Sequence, residues 1–208
     1  YDHPFNFAAI NNVGVRQTQA DLVCLLNNDM EIIAGDWLQE MVRYAIRPHM
    51  GCVGPKLLYS NKRVQHAGVI CGIGDVAGHA HRFSKRHSPG YCGRLQSAQY
   101  YSAVTAACLL VRREVYIEVG GMNEQLAVAY NDIDFCLRIK QAGYLNVYTP
   151  YAELLHHESL SRGSEDTSEK ITRYQNEVAY MWEHWEQELK QDEFYNPNLS
   201  KVREDFSL

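Results

Sequence analysis

Short apolar segments that alternate with helix-patterned segments are the feature that most restricts the fold of this chain. Residues 21–26 (Asp-Leu-Val-Cys-Leu-Leu) form a short, almost continuous apolar run that is bounded by turn-forming residues. Such a run is typical of a strand that is buried on both faces, as in parallel sheets. Residues 6–20 before it and residues 36–46 after it carry apolar side chains at helical spacing. This alternation predicts an α/β protein with helices flanking a mainly parallel sheet.

The rest of the chain continues the alternation. The predicted strands are residues 51–59, with a kink or an edge position at Gly54-Pro55, then 64–73, 103–111 and 144–148, where Pro150 ends the last one. The predicted helices are residues 113–119, 132–142 and 168 to about 191. Between these elements, residues 74–100 show no clear period, which predicts a long irregular loop of the kind that often carries function.

Composition excludes several classes of protein. The 208 residues carry a formal net charge of −5, so no global basic field favours nucleic acid as a partner. The six cysteines include no Cys-x-x-Cys pair, so a structural zinc site is not indicated. Several of them lie in apolar runs, as expected of small buried side chains in a reducing compartment. We therefore expect a cytoplasmic location, with the inner face of the membrane as the alternative.

The segment Asn27-Asn28-Asp29 follows the first predicted strand directly. The carboxyl ends of strands in open α/β sheets are where ligands bind. There, Asp29 could give a hard divalent cation one oxygen ligand while diphosphate oxygens give others. A simple turn after a strand explains the same three residues, and on this segment alone the turn is the favoured interpretation.

Two further polar segments also allow a structural and a functional interpretation. Asp132 lies at a predicted helix start, where a carboxylate either caps the helix or, if it faces a cleft, acts as a general base. Since helical residues are spaced by about 100°, Asp134 projects about 200° away and is expected to pair with Arg138 instead. His156 and His157 follow a predicted strand and point to opposite faces, so only one of them can reach a given metal.

Five segments follow one another in a characteristic order. They are Asn12-x-Gly14, Leu25-Leu26-Asn27-Asn28-Asp29, Gly120-Gly121-Met122-Asn123-Glu124, Asn131-Asp132-Ile133-Asp134-Phe135-Cys136-Leu137-Arg138 and His156-His157-Glu158-Ser159-x-Ser161-Arg162-Gly163. Their order and spacing, over roughly residues 5–163, resemble family 2 glycosyltransferases of the GT-A fold, especially bacterial polysaccharide and rhamnosyltransferase-like members. The second and fourth segments depart from the family pattern, because Asn27 replaces the first Asp of its Asp-x-Asp motif and Asn131 replaces a Glu.

The resemblance implies a sugar transfer with inversion, from a nucleotide-diphosphate sugar to a saccharide or lipid-linked acceptor, in polysaccharide or cell-envelope glycan synthesis. It implies that Asp132 is the catalytic base. It also implies that Asp29 and His156 converge at adjacent strand ends and hold a divalent metal, Mn²⁺ or Mg²⁺, with His157 as the reserve ligand.

The substrates are assigned to two groups of residues. The resemblance places Asn12, Asn27 and Asn28 at the donor site, with Asn27 near the donor's ribose or a metal-bound water. Acceptor contacts are expected from Asn131 and from the basic, tyrosine-containing irregular loop, where the candidates are Arg82, Arg94 and Tyr101. A solvated basic loop explains the loop residues equally well.

The resemblance also predicts how the chain is divided into parts and how it assembles. It divides the chain into a partial GT-A domain, residues 1–165, and a C-terminal helix and tail, residues 166–208. The strands that hold the nucleotide base in this family are expected upstream of Tyr1, so the strand at residues 21–26 or its neighbour should have an open edge that favours a homodimer. Peripheral membrane association of the parent protein is a further expectation. Two alternatives stay open, namely a catalytically impaired carbohydrate-binding or assembly module and a GT-A-like nucleotidyltransferase.

Overall fold

The computed structural model describes residues 1–157 and 167–208. The helices are α1 (Phe7–Gln17), α2 (Trp37–Ala45), α3 (Arg113–Glu118), α4 (Asn131–Gln141) and α5 (Ser168–Lys190), with a 3₁₀ segment at Tyr91–Gln96. The strands are β1 (Leu22–Leu26), β2 (Met30–Ile32), β3 (Met50–Leu58), β4 (Val64–His66), β5 (Val69–Cys71), β6 (Ala77–His79), β7 (Gln99–Tyr101), β8 (Cys108–Arg112) and β9 (Leu145–His156). The predicted alternation of helices and strands is therefore present. The predicted strand at residues 64–73 is divided into β4 and β5 at Gly68, which has a φ of 97°.

The main sheet has the strand order β1-β8-β3-β9-β2, with β4 added to β3 and β7 added to β9. Among the strand pairs of the described residues, β3 and β9 run parallel and the others run antiparallel. The α/β class is confirmed, whereas the expected mainly parallel sheet is a mixed one. A strand buried on both faces has the same apolar sequence in either direction, so its direction depends on the path of the chain.

Strand β9 runs on to His156 and does not end at Pro150, contrary to the prediction. Its register with β3 shifts there, because Pro55 pairs with Thr149 and Lys56 pairs with Glu153. Residues 150–152 thus have no partner on β3, and the missing N–H of the proline breaks no ladder hydrogen bond. The extension carries the chain from the middle of the sheet to the edge where β2 begins. The same shift is the irregularity predicted at Gly54-Pro55, although β3 is a central strand rather than an edge.

Alternate residues of the central strands face two different core clusters, as the pleat of a strand requires. Leu109 and Val111 of β8 pack in the cluster that contains residues of α1, α3, α4 and α5. Cys108 and Leu110 pack in the cluster that contains Trp37, Met41 and Ala45 of α2. The sheet is therefore covered on both faces, and the site residues must lie at the ends of its strands.

The C-terminal helix α5 packs on the core through a narrow stripe of apolar residues. Met181, Trp185 and Leu189 are buried in the same cluster as α4, whereas Ile171 and Trp182 are 46% and 38% exposed. The tail beyond α5 is irregular and places Tyr195, Leu199 and Phe206 in a third core cluster with β4 and β5. No helix among the described residues combines the length and the apolar character that a bilayer crossing requires.

Candidate active site

The polar corner of the fold is built around residues 105–107, which immediately precede β8. The backbone N–H of Asn27 donates to the carbonyl of Ala107 at 2.9 Å, so the end of β1 is attached there. The N–H of Thr105 donates to Nε2 of His66 on β4 at 3.2 Å. The N–H of Ala106 donates to Oδ2 of Asp132 at the start of α4 at 3.0 Å. One short segment thus brings together groups that lie far apart in the sequence.

Asp29 and His156 meet in this corner. Oδ1 of Asp29 lies 3.2 Å from Nε2 of His156, and their side chains are 14% and 11% exposed. The register of the sheet explains the contact, since β2 begins one residue after Asp29 and pairs Met30 with His156. The two side chains therefore converge, as the resemblance implies. Nδ2 of Asn27 lies 3.3 Å from the same ring nitrogen, so Asn27 also belongs to this corner.

The second nitrogen of the His156 ring contacts a residue that the sequence analysis missed. Nδ1 of His156 lies 2.7 Å from Oε1 of Gln65, which is 5% exposed on β4. Gln65 belongs to none of the five segments, and no pattern in the sequence singles it out. Its position follows only from the pairing of β4 with β3 beside the end of β9.

His157 points away from this corner, as expected for adjacent residues of an extended chain. Its Nε2 lies 3.0 Å from Oε2 of Glu31, and its Nδ1 lies 3.0 Å from Oγ of Ser60. Its backbone N–H donates to the carbonyl of Asp29 at 3.0 Å, which supports the turn that precedes β2. This geometry gives no support to His157 as a reserve metal ligand. The segment from Glu158 to Gly163 lies outside the described residues.

Asp132 is half-buried in the first turn of α4. Its Oδ2 accepts the N–H of Ala106, and its Oδ1 accepts the N–H of Ile133 at 2.9 Å. Burial raises the pKa of the Asp132 carboxyl, while the hydrogen bonds from Ala106, Thr105 and Ile133 act in the opposite direction. The helix is preceded by Tyr130 in the left-handed region, with φ 61° and ψ 5°, and this turn sets where Asp132 enters the corner.

Asp134 lies on the other side of α4, as the helical spacing predicts. Its Oδ2 accepts from Nε of Arg138 at 2.9 Å, and its Oδ1 accepts from Nε1 of Trp185 at 3.0 Å. Arg138 also donates to the carbonyls of Val119 and Gly121 at 2.6 and 2.7 Å. Asp134 is 1% exposed, so it connects α4 to α5 and to the loop after α3 and has no access to a substrate.

Asn12 is held inside the fold and does not face a donor site. Its Oδ1 accepts from the hydroxyl of Tyr116 at 2.7 Å and from the N–H of Met122 at 2.9 Å. Its Nδ2 donates to the carbonyl of Met122 and to Oε1 of Glu124, both at 2.9 Å. Because these four bonds use the amide fully, the geometry does not support donor binding by Asn12 and indicates a structural role.

Of three other substrate candidates, one is exposed and two are enclosed by the fold. Asn28 is exposed at the turn after β1, where it can reach a ligand. Asn131 is 3% exposed and donates to the carbonyl of Val128 at 3.0 Å, so its side chain is directed inward. Tyr101 is 1% exposed, and the guanidinium of Arg94 lies 4.9 Å from its ring centre. An acceptor cannot stack on a buried ring, so the acceptor roles predicted for Asn131 and Tyr101 are not supported.

Arg82 lines an open cleft. Its Nε donates to the hydroxyl of Tyr59 at 2.7 Å. The cleft has a volume of ≈ 530 Å³ and is also lined by Asp75, Tyr130 and Tyr174. The hydroxyls of Tyr130 and Tyr174 lie 2.7 Å apart, and Tyr174 donates to Oδ2 of Asp75 at 3.0 Å. The cleft therefore combines aromatic faces with charged groups, and one of its tyrosines, Tyr130, lies two residues before Asp132 in the chain.

Comparison with known proteins gives relatives over nearly the whole chain. A model of the family described as glycosyltransferase like family 2 matches residues 7–190. The chain is 54% identical over 206 residues to the uncharacterized protein y4gI of Sinorhizobium fredii, covering 99% of this chain and 23% of that protein. It is 38% identical over 210 residues to the O-antigen biosynthesis protein RfbC of Myxococcus xanthus, covering 100% of this chain and 16% of that protein. The chain thus spans a minor part of the length of these relatives.

A solved structure shares the fold. The crystal structure of GalNAc-T7 with UDP, GalNAc and Mn²⁺ superposes with a TM-score of 0.65 at 13% identity, covering 91% of this chain and 37% of that one. At this identity the likeness concerns the fold, and it confirms the GT-A architecture expected from the sequence.

Proposed function

The chain belongs to the glycosyltransferase-like family 2, and from this membership we propose that it transfers a sugar from a nucleotide-diphosphate sugar to a saccharide or lipid-linked acceptor. The product would be a polysaccharide or another cell-envelope glycan, as the name of the O-antigen biosynthesis relative suggests. The observation that carries the proposal is the convergence of Asp29, His156 and Asp132 on the corner around residues 105–107. This arrangement supports a metal held by Asp29 and His156 and a base, Asp132, acting at the same end of the sheet.

The corner fits a divalent metal, Mn²⁺ or Mg²⁺. Within the described residues, Oδ1 of Asp29 is buried and accepts no hydrogen bond, although it lies 3.2 Å from Nε2 of His156. A buried carboxylate oxygen without a donor is costly unless a cation satisfies it. The described residues contain no cluster of three His, Cys, Asp or Glu side chains that could hold a metal. Asp29 and His156 would therefore supply two ligands, and water and donor phosphates the rest.

When bound, the metal would offset the negative charge that builds up on the departing nucleoside diphosphate. Asp29 and His156 would hold it, and Asn27 would face the donor from the same corner. The GalNAc-T7 structure, which was solved with Mn²⁺, supports this choice of cofactor for the fold.

Asp132 would act as the base of a single inverting displacement. It would take the proton of the acceptor hydroxyl as that oxygen forms a bond to the anomeric carbon and the bond from this carbon to the diphosphate breaks. The N–H groups of Ala106 and Ile133 fix the carboxylate. Burial raises the pKa of Asp132, which makes its ionised form a stronger base. The nucleotidyltransferase alternative would need no such base, and family membership does not favour it or the impaired module.

The acceptor would enter over the cleft beside Tyr130. Tyrosine rings and the charged side chains of Asp75 and Arg82 provide the apolar and polar contacts that a sugar uses. Arg94 is engaged with the Tyr101 ring, so in this proposal Arg82 is the one retained acceptor contact of the irregular loop.

Location and assembly form a separate part of the proposal. The six cysteines are free, which supports the reducing cytoplasm. Strand β1 pairs with β8 and, among the described residues, with no strand on its other side. Leu26 at its end is 47% exposed, so this edge supports self-association as a homodimer. The exposed edge of Trp182 would allow contact with a membrane surface.

The test uses the parent protein with a panel of nucleotide sugars and Mn²⁺. Asp29→Ala should abolish Mn²⁺-dependent transfer, measured as nucleoside diphosphate release, because the metal loses its carboxylate ligand. Asp36→Ala is the matched control, since Asp36 is exposed and its side chain does not cap α2. Transfer that survives in Asp29→Ala would contradict the proposed metal site. Release of pyrophosphate instead of nucleoside diphosphate would identify a nucleotidyltransferase.

A further inference from the structure

Gln65 occupies an irregular position on β4. In the antiparallel pair of β3 and β4, Leu57 pairs with His66 and Leu58 pairs with Val64. Gln65 is thus the extra residue between two residues that pair with consecutive positions of β3, which is the definition of a β-bulge. Bulges change the direction of a side chain and occur preferentially beside active sites. Here the bulge directs the Gln65 amide to the His156 ring.

The strand on both sides of the bulge is held firmly. His66 and Val64 are fully buried. Burial lowers the pKa of His66 to about 4, so this ring is neutral at pH 7. Its Nε2 accepts the N–H groups of Thr105 and Gly68, which leaves Nδ1 to donate to the carbonyl of Pro55 at 3.0 Å. Gln65 is therefore anchored next to a rigid residue that is bonded to the same segment, residues 105–107, as Asp132.

The contact between Gln65 and His156 determines where the ring carries its proton. An amide oxygen can only accept a hydrogen bond, so Nδ1 of His156 must donate across the 2.7 Å separation. In the neutral ring, Nε2 then keeps its lone pair. That nitrogen faces the Asp29 carboxylate at 3.2 Å and the Nδ2 donor of Asn27 at 3.3 Å. In this tautomer Nε2 accepts from Nδ2 of Asn27, and no proton lies between Nε2 and Oδ1 of Asp29. A cation can therefore be held between these two atoms if it takes the place of the Asn27 contact.

We propose that Gln65 is a positioning residue that holds His156 in its Nδ1–H tautomer and directs Nε2 toward Asp29. The assignment of Nε2 as a metal ligand rests on the proposed function, whereas the assignment of the tautomer does not. Outer partners of this kind commonly alter metal affinity by about 10- to 100-fold. The bulge at Gln65 supplies that partner from a strand that contributes no metal ligand itself.

The first experiment measures the tautomer without any metal or donor. The ¹⁵N shifts of the His156 ring are recorded about two pH units above the ordinary histidine pKa, and the His156→Gln variant assigns them. We expect a protonated Nδ1 and an unprotonated Nε2 in the wild type. In Gln65→Leu, the proton should move to Nε2, where Asp29 can accept it. In Gln65→Glu, an acceptor oxygen remains and Nδ1 should stay protonated.

Gln187→Leu is the matched control, because Gln187 is exposed on α5 and the substitution should leave the His156 spectrum unchanged. Circular dichroism verifies that each variant is folded. A wild-type ring protonated on Nε2, or a Gln65→Leu spectrum identical to that of the wild type, would overturn the proposal. If Gln65→Leu does not fold, the wild-type and Gln65→Glu spectra decide the question by themselves.

The second experiment measures Mn²⁺ affinity by electron paramagnetic resonance on the same variants. Gln65→Leu should bind Mn²⁺ about 10- to 100-fold more weakly than the wild type, and Gln65→Glu and Gln187→Leu should not. Equal affinity in Gln65→Leu and wild type would overturn the role of Gln65 toward the metal. A wild-type protein that binds no Mn²⁺ would refute the proposed metal site, and the ring spectrum would still decide the tautomer.

Discussion

Replacing Asp134 by asparagine should lower the stability of the protein, although the change removes only a charge. Asp134 is 1% exposed and its Oδ2 pairs with Arg138, whose side chain is 24% exposed. Oδ1 accepts from Trp185 of α5. The substitution leaves an oxygen for Trp185 and removes the negative partner of Arg138. Arg138 still donates to the carbonyls of Val119 and Gly121 in this variant. The loss of stability is therefore smaller than for a buried charge that keeps no partner.

The expected magnitude follows from these partners. A hydrogen bond to a charged group contributes about 1.5–3 kcal/mol, so the free energy of unfolding should fall by about 2 kcal/mol. For a chain of this size, each kcal/mol lowers the melting temperature by about 2–4 °C, which gives a decrease of about 4–8 °C. Asp134→Ala should lower the free energy of unfolding further, by about 3–5 kcal/mol, since it leaves both Arg138 and the Trp185 N–H without the carboxylate.

Asp132→Asn is the informative comparison. Burial raises the pKa of Asp132, so folding favours its protonated form. The stabilising contribution of that form is present below the unfolded pKa and is lost as the pH rises through the raised folded pKa. At pH 7 the ionised Asp132 therefore contributes no such stability. A neutral amide removes the cost of burying the charge, but it keeps only one acceptor oxygen for the N–H groups of Ala106 and Ile133. Since these two effects oppose each other, the free energy of unfolding should stay within about 1 kcal/mol of the wild-type value.

The two variants are measured by urea unfolding and thermal melting at pH 7, and the transfer rate is measured in the parent protein. We expect Asp134→Asn to lose stability, and Asp132→Asn to lose about 10²-fold or more in turnover with donor binding little changed. Asp36→Asn, at an exposed position, is the control for removing a carboxylate. The reasoning is refuted if Asp134→Asn melts like the wild type, or if Asp132→Asn keeps its turnover.

Three further predictions concern stability and assembly. Asn12→Ala should lower the free energy of unfolding by about 2–4 kcal/mol, because four hydrogen bonds are lost and three of them are buried. Donor affinity should not change, and a loss of donor affinity with normal melting would contradict the structural role. The pKa of His66 is lowered by burial to about 4, so the stability it contributes is complete above pH 6.5 and is lost as the pH falls toward 4. The urea midpoints at pH 7 and pH 4.5 should therefore differ less in His66→Gln than in the wild type. If the two proteins show the same difference between these midpoints, the role given to His66 is wrong. The open edge of β1 should cause self-association that Leu26→Lys weakens, and light scattering that gives a monomer at every wild-type concentration would exclude it.

Much of the fold and part of the site could be predicted from the sequence, because they depend on local periodicity. The spacing of apolar residues located α1, α2, α4 and α5 to within a few residues. Helical geometry separated Asp132 from Asp134 and paired Asp134 with Arg138. The alternation of an extended chain separated His156 from His157. Each of these relations joins residues within one element, where the backbone fixes the direction of the side chains.

Pairing and packing between different elements could be identified only from the tertiary structure. The apolar composition of β8 is the same for either direction, so its antiparallel pairing with β1 was not predictable. Pro150 reads as the end of a strand until the register shift in β9 shows where its missing N–H is tolerated. Asn12 and Tyr101 have residue types that suit a binding site, and only their packing shows that they are enclosed.

Gln65 shows the same limit for the site. Its amide reaches His156, which lies 91 positions away in the chain, because a bulge on β4 turns it toward the end of β9. Sequence alone specified which side chains can bind a cation or accept a proton, since that is a property of each residue type. The tertiary structure decided which of them meet, because strand direction and register are set by the packing of the whole sheet and not by any segment by itself.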